Sequence, residues 1–189
     1  MKKSLSFILF LGLFLTLAQA QTFKGLDKSP MDMAYYPPDF AHDRKFAPEK
    51  VGDKAFIRVT YSRPAKKDRE VFGKLIPFDA VWRAGANEAT EIKFYQDVTI
   101  QGKKIGAGTY TLFTIPTATE WTIILNSDLD TWGAYSYNKA KDVLSVKVPV
   151  KKAESIIENF TIQFAKKDEH NALMQLAWDT TIVEVPIGF

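Results

Sequence analysis

The chain has 189 residues, no cysteine, and 25 Lys and Arg against 22 Asp and Glu. Its length suits one domain with an ordinary core, and the absence of cysteine excludes disulfides and an acylated-lipoprotein anchor. The near balance of charge excludes a nucleic-acid-binding class, which needs a strongly basic face.

The first twenty residues have the parts of a secretory signal. Lys2 and Lys3 form a basic start, Ile8 to Leu17 is a short apolar run, and Ala18-Gln19-Ala20 is a small-x-small cleavage site. The run is shorter than the roughly 20 residues of a spanning helix, so no membrane anchor is expected after cleavage at Gln21. Residues 21–50 combine Pro30, Pro37, Pro38 and Pro48 with Phe23, Tyr35, Tyr36, Phe40 and Phe46. Prolines exclude a helix interior or a central strand, and so many aromatics do not suit a free linker, so an extended arm lying over the domain is expected.

From Ala55 the pattern turns to strand alternation, with Ala55, Ile57, Val59 and Tyr61 on one face. Further strands are predicted at Ile92–Phe94, at Val98–Ile100 before the Gln101-Gly102 turn, and at Thr109–Ile115. Trp121–Leu125 then closes a hairpin across 116–120. After a loop at 126–141, strands resume at Val143–Val148, Phe160–Phe164, Ala172–Trp178 and Thr181–Val185, and only 151–158 has a helical look. The expectation is an all-β single domain over 51–189, an antiparallel sandwich or jelly-roll-like barrel of about 8–10 strands with one short helix. Trp121 and Trp178, in register with apolar neighbours, are assigned to its core.

The long connection from Tyr61 to Thr90 has neither helical nor sustained strand periodicity, and it concentrates the special side chains. Arg63, Arg69 and Arg83 offer planar, forked donors, Asn87 and Glu88 add amide and carboxylate, and Tyr61, Trp82 and Trp132 supply rings. This mixture suits a carbohydrate or another small polar or anionic ligand, and it equally suits arginines that brace a long loop. A glycan hydrolase would draft Glu88 with Asp79 or Glu91. There is no G-x-S-x-G motif, and His42 and His170 are isolated, so neither a nucleophile nor a zinc site is expected. Asn126, Asp128 and Asp130 have calcium-loop spacing, but Thr131 and Tyr137 stand where that loop needs glycine and glutamate. No cofactor and no metal are therefore expected.

The strings SPMDMAYYP at 29–37, YSRP at 61–64, REVFG at 69–73, VWRAGANEAT at 81–90, GKKIGAGTYTLFTIP at 102–116 and WGAYSY at 132–137 occur together. In this the chain resembles an uncharacterised family of exported bacterial domains, a domain of unknown function. The resemblance implies a single exported domain, periplasmic or secreted, and assigns it no reaction. The functional expectation is a non-catalytic binding or interaction module. The alternatives are the glycan hydrolase and a structural envelope protein whose arm at 21–50 pairs with a partner.

Overall fold

The computed structural model describes residues 22–189, so the expected signal segment at 1–20 lies outside the described residues. Among the described residues there are nine antiparallel strands: β1 (Met31–Tyr36), β2 (Ile57–Ser62), β3 (Thr90–Phe94), β4 (Val98–Ile100), β5 (Lys103–Ile105), β6 (Gly108–Pro116), β7 (Glu120–Asn126), β8 (Asp142–Lys166) and β9 (Asn171–Gly188). Their lateral order is β1-β2-β3-β6-β7-β8-β9-β4-β5. The all-β, single-domain expectation is met.

The 25-residue β8 makes the sandwich. Its first part pairs with β7 from Asp142 to Pro149, and the remainder pairs with β9 from Val150 to Lys166, so one strand carries the sheet from one layer into the other. Ile57, Val59, Ile92, Phe94, Leu112, Trp121 and Ile123 meet Phe160, Ile162, Met174, Leu176 and Trp178 in the core between the layers. The Phe160 amide donates to the Pro64 carbonyl at 2.9 Å, and the Lys66 amide to that of Glu158 at 2.7 Å. These bonds draw the middle of β8 against the start of the long connection.

The helix expected at 151–158 is strand. Ala153 and Phe160 are buried with Ile157 half-buried between them, a spacing that mimics one helix face. It arises because the β8–β9 register breaks on both sides of Ile157, and extra residues in a bulged strand shift the inward phase. A similar break explains β9. Its buried residues run Ala172, Met174, Leu176, Trp178 and then Val183, Val185, Ile187, changing phase after Asp179, which has φ 55°.

The helices lie instead in the arm: α1 (Phe40–Phe46) and α2 (Pro48–Val51). The arm is also less separate than its prolines suggest, because β1 pairs residue for residue with β2 from Met31 opposite Ser62 to Tyr36 opposite Ile57. As an edge strand between Pro30 and Pro37, it tolerates the missing donors. Tyr36 stacks on Phe189 at 5.3 Å, and Phe40 packs with Val51 and Ala55, whereas Phe46 and Phe23 are exposed.

Candidate functional site

The second half of the long connection is a closed loop held by its own backbone. Trp82 and Thr114 exchange amide–carbonyl hydrogen bonds at 2.7 and 2.8 Å, and the Thr90 amide donates to the Arg83 carbonyl at 3.1 Å. Inside the loop Thr90 Oγ1 donates to the Ala84 carbonyl at 2.6 Å, and Trp82 Nε1 to the Gly85 carbonyl at 3.1 Å. Gly85 suits a close approach, since a Cβ there would sit a tight 3.1 Å from the Ser62 carbonyl oxygen. Ala84 and Asn87 take left-handed φ values of 52° and 59°, a strained backbone that only a well-determined surrounding maintains. The loop is then tied to residues 131–133, where the Ala89 amide donates to Thr131 and the Gly133 amide to Asn87, both at 2.9 Å.

The structure divides the candidate residues into three groups. Tyr61, Trp82 and Arg63 are braces. Tyr61 is buried and donates its hydroxyl to the Ile162 carbonyl at 3.1 Å. Trp82 is buried in a ring cluster, 5.0 Å from Phe160 and stacked at 6.0 Å on Trp178. Arg63 spends its fork on the protein, with Nη1 on Asp32 at 2.9 Å, Nη2 on Thr161 at 2.9 Å and Nε on the Phe160 carbonyl at 3.2 Å. These three are expected from sequence to face a ligand; instead Tyr61 and Arg63 bond to β8, and the Trp82 ring packs against Phe160 and Trp178.

The second group lies on the surface, outside the cleft described below. Glu88 is exposed and bridges across from Trp132, whose side chain is 59% exposed. Asn87 donates its side-chain amide to Asp27 at 3.0 Å. Of the carboxylates drafted for hydrolysis, Glu91 accepts the Asp130 amide at 3.1 Å, while Asp79 is exposed with its backbone amide held by the Pro116 carbonyl. Asn126 and Asp128 brace their own loop through Asp142 and Lys141. Among the described residues no three His, Cys, Asp or Glu side chains gather as metal ligands.

The third group is Arg69 and Arg83, which the fold brings to one cleft of about 550 Å³. Lys28 and Ser29 of the N-terminal segment form one wall, Pro64 and Lys67 another, and Trp178 part of the apolar side. Arg69 is fixed by Nε on the Lys66 carbonyl at 2.9 Å and by Nη2 on that of Ala65, which leaves the rest of its five donors free of these bonds. Arg83 differs from every other arginine candidate: its guanidinium makes no hydrogen bond or ion pair among the described residues, and its Nε is buried without a partner. Burial pushes its pKa down, and only the nearby Tyr135 phenol acts in the opposite sense. Gly133, with φ 67°, has the exposed Tyr135 ring packed against it, where a Cβ would collide.

The sequence of residues 43–187 matches the family model described as a protein of unknown function, DUF2911. The chain belongs to the DUF2911 family. No curated protein and no solved structure matches the chain. Of the cleft residues, Lys67, Arg69 and Arg83 fall inside the span of the DUF2911 match, while Lys28 and Ser29 precede it. Lys28 and Lys67 are the residues that sequence reasoning missed. The Lys66-Lys67 pair in the connection was the available signal, but nothing in its spacing separates Lys66, which faces Asp179 at 3.6 Å, from Lys67, which faces the cleft.

Proposed function

We propose that this protein is an exported, non-catalytic binding module that holds a small polar ligand in the cleft between the 61–90 connection and the N-terminal segment. The observation that carries the reading is Arg83, a half-buried guanidinium on a rigid loop with no protein partner among the described residues. Structural arginines in this molecule look different, as Arg63 does with three protein partners. A cleft of this size lies within the range of roughly 300–1,000 Å³ that small-molecule sites occupy, and it has the mixed apolar and polar lining they use. The hydrolase reading is weaker, because Asp79, Glu88 and Glu91 do not line this cleft.

A thermal-shift screen of sugars and organic acids tests the binding reading. At least one compound should raise the melting temperature in a saturable way in the wild type and fail to do so in Arg83→Gln. Equal stabilisation of both proteins would place the ligand elsewhere. Export is tested separately: protein recovered from an exporting cell should begin at Gln21, and an intact mass retaining Met1 would contradict it.

A further inference from the structure

We infer that the ligand of this cleft carries an oxyanion group, a carboxylate or a phosphate, which Arg83 receives through its fork with Arg69 and Lys67 beside it. The inference rests on the cleft being the binding site and adds the chemical class of what binds there. The sign of charge is the first support. Among the described residues, four cationic side chains, those of Lys28, Lys67, Arg69 and Arg83, line the cleft, and no carboxylate does. The carboxylates nearby are already engaged: Asp27 by the Ser29 amide and Asn87, Glu158 by the Lys67 amide, and Asp32 by Arg63.

The second support is desolvation. A guanidinium taken partly out of water without a counter-charge is unfavourable, and burial accordingly weakens the hold of Arg83 on its proton. An oxyanion supplies the missing charge and two acceptors matched to the fork, whereas a neutral hydroxyl supplies only an acceptor. Bonds to an ionised acceptor are about twice as strong as neutral ones. The third support is preorganisation. Arg69 is held by two carbonyls and Arg83 stands on a loop closed at both ends, so little freedom is lost when a ligand arrives.

The test is a titration of the full mature protein followed by ¹H–¹⁵N spectra that include arginine Nε–H signals, at constant ionic strength, with inorganic phosphate, citrate and glucose as probes. Phosphate or citrate should shift the Arg83 Nε–H and the Gly85 and Ala86 amides saturably, while glucose should not. A stronger response to citrate assigns a carboxylate ligand, and a stronger response to phosphate assigns a phosphoryl one. Arg83→Gln should weaken the anion response at least about tenfold, as loss of a charged hydrogen bond does, and Arg83→Lys should recover part of it by restoring charge without the fork. Arg69→Gln, at an exposed position, should weaken the same response without touching the buried loop. Glucose shifting the cleft signals while both anions leave them unmoved would overturn the anion class and leave the cleft as a binding site. No saturable shift at the cleft with any of the three probes would overturn both.

Discussion

Replacing Trp82 with alanine should cost about 3–5 kcal/mol, the usual loss for a buried large aromatic, because its ring closes the cluster with Phe160 and Trp178. Arg63→Ala should cost about 1–3 kcal/mol through its carbonyl and hydroxyl bonds, with little from the half-exposed pair to Asp32. Urea unfolding of both variants checks this, and a loss below about 0.5 kcal/mol in either, the range of ordinary surface changes, would remove that residue from the internal brace. These two were grouped with the ligand candidates because residue type alone does not separate a core ring from a stacking platform, or a bracing arginine from a receiving one. Trp121 and Trp178 were legible as core because they sit in strand alternation. Trp82 lies outside any long strand and meets Thr114 only through an isolated bridge, and the rings that bury it, Phe160 and Trp178, are far away in the chain.

Among the elements, the hairpins and alternating strands were legible because each carries its own period of two. The helix at 151–158 was misread for a physical reason: bulges around Ile157 give the strand an apparent period near that of a helix. In the arm, the strand is hidden by flanking prolines, which are acceptable only because β1 is an edge. Deleting residues 22–50 should therefore remove a six-residue ladder as well as the Tyr36 and Phe40 contacts. Stability should fall by several kcal/mol, given about 1.5–3 kcal/mol for each large apolar side chain before ordering entropy is subtracted. Phe46→Ala, at a position 71% exposed, should leave the melting temperature unchanged. An unaltered melting temperature in the truncated protein would contradict the account of the arm.

At the scale of the whole molecule, acid stability follows from carboxylates engaged in the fold. Lys151, and then Gln175, hold the Glu184 carboxyl below its ordinary range of about 4. Its folded pKa is depressed, so its contribution is fully present above the unfolded value and is lost as pH falls through the folded one. Glu184→Gln should be less stable than the wild type at neutral pH, and the gap should close as pH falls below about 4; a gap constant down to that region would show that Glu184 titrates alike in both states. The central claim concerns Arg83: its half-buried guanidinium has no hydrogen-bond or ion-pair partner among the described residues and its Nε is buried, and the proposal is that a ligand takes it. The direct measurement is the unfolding free energy of Arg83→Gln against the wild type, each with and without saturating citrate or phosphate. The account predicts that the free variant stays within about 1 kcal/mol of the wild type, as a change that breaks no protein pair does, and that only the wild type gains stability from the anion. A loss of about 3–5 kcal/mol in the free variant, the signature of a broken buried pair, with no anion effect on either protein, would contradict it and make Arg83 a structural brace.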